Sequence, residues 1–510
     1  MGIPSYFSYI IKNHMKILQK FSSQTHQFQN LYLDCNSIIY DSIRELQKTG
    51  KLKSATADNY KNISSSVCLK IQQYMDNIRP SNTVYIAFDG VAPLAKMNQQ
   101  KTRRYRAIFM ENAKIVPKSE FSSCLITPGT DFMNFLSDYV ETHFSKNRNV
   151  IVSGSNKPGE GEHKLFQYIR ENPESHFEKN TVIYGLDADL LMLSIFHSNK
   201  SNLFVYREAP EFAKSLNADL ENGASYILDI SQLCNSILSE MKCHQSQPNR
   251  VFDYAFLCFM LGNDFLPHFP SINIRSNGIY GLLNAYKETV GLSEKTFIIE
   301  NGEIQWTQYK KVVNWLANHE DIWFKNEYLK RGEIRFSTSF KNSEEKEAVL
   351  NNAPLIYRGT EHYINPTDKK WQQRYYKALF DAPVSVNAIC ANYFEGLEWV
   401  FRYYTNQCFD WRWKYNYHYP PLLIDMAMYT SKSKYFIKSV FNPFKPKTQL
   451  LYVLPPEHLN LNETEKTKSY YKFDGEFMWA FCRYFWEGHL VMDSMPLEEM
   501  ERIDRDYGCK

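Results

Sequence analysis

Short apolar runs of strand-forming residues alternate, through the N-terminal part of the chain, with longer stretches patterned for helices. The runs are NLYLDCN at Asn30–Asn36, VYIAF at Val84–Phe88, NVIVS at Asn149–Ser153 and TVIYGL at Thr181–Leu186. Each is bounded by polar or turn-forming residues, and each predicts a strand. Helices are predicted over Ser37–Thr49, around Ser65–Asn77, and in the Gly- and Pro-free stretch that Pro93 opens. A further helix follows Thr130 or Asp131 as N-cap, with Phe132, Phe135, Leu136 and Tyr139 on one face. The polar Lys51–Asn62 stretch between these elements reads as a loop. Strands separated by helices imply βαβ units, so the expected fold class is α/β with a mostly parallel central sheet and flanking helices.

Acids mark the carboxyl ends of these strands. Asp34 and Asp89 end the first two, Asp187 and Asp189 end the fourth, and Glu160 and Glu162 open the helix after the third. Residues two apart in an extended segment point the same way, so Asp187 and Asp189 should face one site. In parallel sheets the functional crevice lies beyond the strands' carboxyl ends, which gathers all six acids at one rim. Val251–Leu261 reads as a buried helix stopped by Gly262 and Asn263, and Asp264 beside that stop would by itself be a cap. On the helix after Asp89, Lys96, Gln100, Arg103 and Arg104 are spaced to share a face. Forked guanidinium donors and a lysine point charge suit a phosphate, the plainer alternative being a solvated basic face.

Farther on, Ser293 to Asn352 is charged and weakly patterned, a connector with short elements. The aromatic blocks WQQRYYKALF, YFEGLEWVFRYY and CFDWRWKYNYHYPP then predict a helical core. Trp411, Trp413 and the Tyr415–Pro421 run are harder to bury and are candidates for stacking on bases. The expected division is residues 1–290, a connector over 291–354, a second region over 355–456, and a C-terminal segment over 457–510.

Composition narrows the function classes. The 510 residues allow about two to four domains. A formal charge of +3 means that any nucleic-acid footprint is local. Ten cysteines without a C-x-x-C pair fit reduced thiols in an intracellular protein rather than a disulfide frame or zinc site. The sequence contains neither a secretory signal pattern nor an apolar run near the ~18 residues of a membrane span. It offers no Gly-rich phosphate loop or specific Ser or Cys nucleophile arrangement, and its histidines are not at metal-ligand spacing. Clustered carboxylates repel one another, and hard oxygen ligands select Mg²⁺ or Mn²⁺. Two such ions can drive in-line attack on a phosphodiester, and a basic helix face beside them points to a nuclease that reads a terminal phosphate.

The motifs carry a family resemblance. MGIPSYF at the start, LDCN at Asp34, FDGVAPLAKMNQQKTRRYR from Phe88, ITPGTDFM from Ile126, SGSNKPGEGEHK from Ser153, GLDADL from Gly185 and GNDFLPHFPS from Gly262 resemble the 5′→3′ exoribonucleases of the Xrn family. The likeness is strong over residues 1–290 and holds in outline over 355–456. It implies a PIN-like or FEN-like nuclease core with the second region packed on it. It implies seven metal-site acids, Asp34, Asp89, Glu160, Glu162, Asp187, Asp189 and Asp264, holding two Mg²⁺ or Mn²⁺ ions. It places a 5′-monophosphate pocket on Lys96, Gln100, Arg103 and Arg104, and a single-stranded RNA substrate released as nucleoside 5′-monophosphates. The family's base-stacking histidine is replaced here by Tyr40, and its stacking tryptophan falls on Trp411 or Trp413. The chain is short for the family, without the long C-terminal extension of its cytoplasmic members, which leaves docking partners open and leaves room for an abbreviated or virus-encoded form; the expected location is intracellular, cytoplasmic rather than nuclear. The competing classes are a flap-type DNA endonuclease, disfavoured because FPSINIRSNGIYGLLNAY lacks a glycine-patterned helix-hairpin-helix, and a non-catalytic RNA-binding scaffold, disfavoured by the complete acidic set.

Overall fold

A computed structural model describes residues 2–506 apart from 53–56, 117–120, 209–219, 222, 244–246, 336–338, 340–341, 381–383, 430–438 and 460–468. A seven-stranded sheet forms its centre, in the order β1-β7-β6-β5-β2-β3-β4. The strands are β1 (Leu18–Lys20), β2 (Asn30–Asp34), β3 (Thr83–Ala87), β4 (Val150–Ser153), β5 (Asn180–Tyr184), β6 (Asn202–Glu208) and β7 (Ser225–Asp229). From β4 through β6 neighbouring strands run parallel, whereas β7 and β1 close that edge antiparallel. β6 and β7 carry β-branched and aromatic runs, NLFVYRE and SYILD, that extend the sheet beyond the four strands expected. β1, three residues with two exposed side chains, has no local signature.

Each central strand is apolar on both faces, as a sheet covered on both sides requires. Leu31, Leu33, Val84, Ile86, Val182 and Tyr184 point into a core built with α2 (Asn36–Lys48), α3 (Ala57–Ile78) and α5 (Asp131–Phe144). Tyr32, Tyr85 and Ile183, one residue out of register, point into a larger core with α1 (Tyr6–Asn13), α6 (Gly161–Glu171) and α7 (Asp189–Phe196). The helix after Pro93 is α4 (Leu94–Asn112). Thr130 caps α5 by accepting from Met133 N at 3.3 Å. The segment beyond α4 returns to it, since Phe444, Leu451, Met495 and Met500 pack with Leu94 and Met97.

The larger core also absorbs much of the aromatic region. Tyr393, Phe394, Leu397, Trp399 and Phe401, on the helix Val386–Thr405, all belong to it. The expected connector is more than a linker, because its 28-residue helix Trp306–Glu333 places Tyr309, Val312, Val313 and Leu316 in the same core. That apolar stripe keeps helical spacing, but Lys and Glu on the remaining faces dilute it. The nine described cysteines are free thiols, and Cys509 lies outside the described residues. No helix among the described residues is long and apolar enough to cross a membrane.

Glu320 lies in the stripe of that helix, 4% exposed, and accepts from Leu423 N at 2.8 Å and Ile424 N at 3.0 Å. It thereby caps the first turn of Leu423–Met428. Burial lifts its carboxyl to about 8. A raised carboxyl contributes stability that is full below its unfolded value and is lost as pH rises through the folded one. The wild-type thermal midpoint should therefore fall more than that of Glu320→Gln between about pH 5 and pH 8. Parallel melting curves for the two proteins would contradict this placement.

Candidate active site

The carboxyl ends of β2 and β3, with the segments following β4 and β5, form one rim of the sheet. Asp34 is the last residue of β2, and Asp89 lies two residues beyond β3. Asp89 accepts from Gly161 N at 2.7 Å and from the Asn36 side-chain amide. This ties the β3 end to the first turn of α6, and only a glycine permits so close an approach. A Cβ on Gly161 would stand 2.7 Å from Asp34 Oδ1. Lys164, one turn on, donates to Phe88 O at 2.8 Å and Gly154 O at 2.9 Å, tying together the segments that follow β3 and β4.

Glu160 and Glu162 flank Gly161 and are buried, as is Asp189 at the start of α7. Asp187 stands exposed at the rim. The extended geometry expected for Asp187 and Asp189 is replaced by a helix start, because β5 ends at Tyr184 and α7 begins at Asp189 itself. The two still meet the same neighbours, since both feel the charge of Asp264. Asp34 feels Asp89 and Asp187, and Glu162 feels Asp189 and Glu160. All seven predicted acids therefore converge.

At their centre stands the Lys96 ammonium, 2.5 Å from Glu160 Oε2 and 2.7 Å from Asp264 Oδ2. Burial, then the charges of Asp89 and Asp187, push Asp34 well above the usual carboxylate range. Burial also raises Glu160 and Glu162, and lifts Asp189 to about 6. Burial acts on Asp264 in the same direction, but Lys96 overrides it and holds that carboxyl low. Among the described residues one buried ammonium thus faces several carboxylates that burial makes harder to ionise, and Asp34 Oδ1 is buried with no hydrogen-bond partner. An all-oxygen donor set short of positive charge fits a hard divalent cation.

The second region orients this set. Tyr403 OH donates to Glu160 Oε1 at 2.8 Å, and Tyr404 OH donates to Asp189 Oδ1 at 2.7 Å. Gly2, with φ +56°, also packs on Asp189, and a Cβ there would stand 2.2 Å from its Oδ1. Sequence reading missed all three, along with His163, whose ligand atom lies within 4.8 Å of those of Glu160 and Glu162.

Of the four residues expected to bind a terminal phosphate, three engage protein groups. Lys96 pairs with the acids, Gln100 accepts from Gln449 Nε2 at 3.5 Å, and Arg104 donates to Ile126 O at 3.1 Å. Arg103 is exposed and lines a cavity of about 390 Å³ that reaches Asp264 and is also bordered by Lys101, Lys414 and Trp486. Burial, then the charge of Lys414, push Lys101 down to about 8.

Trp411 and Trp413 are both buried. Each is 8% exposed in the larger core, and Trp413 lies on Trp399 with centroids 5.1 Å apart. The dense aromatic block that made them candidates is the packing of that core. The tryptophan lining the cavity is the half-buried Trp486, itself stacked on Tyr484. Tyr40, on α2, is partly buried against the smaller core.

The family pattern described as XRN 5'-3' exonuclease N-terminus matches residues 1–209, and that described as Xrn1 helical domain matches 246–363 and 364–461. A 5'-3' exoribonuclease 2 homolog of Drosophila melanogaster is 28% identical over 89% of this chain and 64% of its own length. The 5'-3' exoribonuclease 1 of Saccharomyces cerevisiae is 29% identical over 90% of this chain and 40% of its own. The chain thus spans less than two thirds of the length of these relatives. Among solved structures, the catalytic core of Rad2 in complex with DNA substrate matches 68% of this chain and 85% of that one at 14% identity. The TM-score of that match is 0.33. With the two patterns following one another over most of its length, the chain belongs to the Xrn 5′→3′ exonuclease family.

Proposed function

We propose that this protein is a divalent-metal-dependent 5′→3′ exoribonuclease that removes nucleoside 5′-monophosphates from single-stranded RNA bearing a 5′-monophosphate. The observation that carries this reading is the convergence of seven carboxylates, from separate segments, around one buried ammonium beside a cationic cavity. When bound, a pair of Mg²⁺ or Mn²⁺ ions supplies a water of lowered pKa and neutralises charge on the phosphodiester.

The chain's own groups provide the rest. Asp34, Asp89, Glu160, Glu162, Asp187, Asp189 and Asp264 are the candidate ligands. Tyr403 and Tyr404 hold Glu160 and Asp189 in fixed orientations through their hydroxyls. Arg103 lines the cavity, as Asp264 does, and its charge reaches both Asp187 and Asp264. That position suits receiving the RNA's leading phosphate, with Lys96 adding charge behind it and Gln100 and Arg104 on the same side of α4. The Trp486 ring offers a face for a base entering the cavity.

The direct test is degradation of end-labelled, 5′-phosphorylated single-stranded RNA in Mg²⁺. Preference for flap DNA over this substrate would overturn the reading. Asp187→Ala should lower cleavage by about a thousandfold, equivalent to roughly 4 kcal/mol, while RNA binding stays largely intact. Arg103→Ala should reduce discrimination between phosphorylated and hydroxyl ends about tenfold to a hundredfold, measured as a ratio of kcat/KM values. Equal weakening on both ends would exclude a phosphate role. Trp486→Ala should weaken RNA binding by roughly 1–3 kcal/mol with little change in melting temperature, whereas Trp413→Ala should chiefly destabilise the fold.

A further inference from the structure

His163 sits in the first turn of α6, three residues after Glu160 and next to Glu162. Positions three apart share a helix face, so His163 is carried to the side on which Glu160 meets Lys96. The imidazole is 7% exposed and its plane is fixed. The Tyr403 ring lies parallel to it with centroids 3.7 Å apart, and the Tyr404 ring meets it edge-on at 5.4 Å. The Nε2 of His163 is buried without a hydrogen-bond partner. A buried ring nitrogen left bare is unfavourable unless something completes it. A neutral imidazole carries one ring proton, and its other nitrogen keeps a lone pair for a ligand. A ligand atom of His163 lies within 4.8 Å of one on each of Glu160 and Glu162, the one such group of three among the described residues.

We propose that His163 supplies a nitrogen ligand to the divalent ion held by Glu160 and Glu162, making that position a mixed nitrogen and oxygen site that favours Mn²⁺ over Mg²⁺. This rests on the reading of the acidic cluster as a divalent-cation site. Imidazole suits the later first-row ions, whereas Mg²⁺ demands oxygen donors, so a nitrogen here shifts selectivity without changing the reaction. The ring also explains why two tyrosines of the second region close around it, since an oriented imidazole binds better than a rotating one. The spacing did not announce this role, because the partners of His163 are carboxylates and not further histidines.

The test is pulsed electron paramagnetic resonance of Mn²⁺ bound to the full chain without RNA, at natural abundance and with ¹⁵N-histidine. The expected result is a ¹⁴N coupling that becomes ¹⁵N in the labelled protein and disappears in His163→Gln. In competition titrations the same variant should bind Mn²⁺ about tenfold more weakly or worse while Mg²⁺ affinity changes far less. Bound Mn²⁺ without nitrogen coupling, or with a coupling that stays ¹⁴N after labelling, would overturn the role of His163 and leave the cation site intact. A wild-type chain that binds no Mn²⁺ would overturn the cation site itself. Should His163→Gln fail to fold, the labelled wild-type protein still decides the matter, since among the described residues no other histidine stands with these two acids.

Discussion

A single ammonium buried among carboxylates is the interaction on which the site depends. Lys96 bridges Glu160 and Asp264, residues far apart in the sequence, and so ties the start of α6 to the end of the buried helix that precedes Gly262. Burial alone would drive the proton off this lysine, but the charges of Asp264, Glu160, Glu162 and Asp189 reverse that and hold it well above its ordinary range. Two like charges ~4 Å apart repel by roughly 4 kcal/mol at an effective dielectric near 20. Lys96, with the more distant Arg103, does not offset that for every member of the cluster, and burial with mutual repulsion pushes several of the acids upward. An arrangement so unfavourable on its own is what a site for divalent cations looks like from the protein side.

The second region completes this centre. Its helix Val386–Thr405 is buried over most of its circumference, largely in the larger core, and turns Tyr403 and Tyr404 toward Glu160, Asp189 and His163. Packing and chemistry are therefore coupled, since displacing that helix would lose core contacts and the hydrogen bonds orienting two carboxylates together. The cavity follows the same logic. Arg103 and Lys101 come from α4, Lys414 from the aromatic region and Trp486 from the C-terminal part. No single stretch of the chain lines the cavity, and none of its lining residues comes from the seven-stranded sheet.

Local rules carried the N-terminal part a long way. An apolar run ending in an acid defines a strand and its carboxyl end within a few residues, so Asp34, Asp89 and the acids around β4 and β5 could be gathered at one rim before any coordinates were known. Helical spacing alone put Lys96, Gln100, Arg103 and Arg104 on one side of α4. The same rules faltered where pattern and burial diverge. Lys and Glu around the apolar stripe of Trp306–Glu333 disguised a core helix as a connector, and a run of aromatic residues gave no sign of which rings would be buried.

What the residues determined by themselves was thus the sheet, its acids and the basic helix beside them, because each follows from neighbours a few positions away. What only the tertiary structure decided was which partner each polar group takes. Lys96 goes to acids rather than remaining a free phosphate ligand, Trp413 stacks on Trp399 while Trp486 lines the cavity, and Tyr403 reaches a carboxylate 243 positions earlier. The physical reason is that burial and charge pairing depend on distances in space, and only the packed chain sets those.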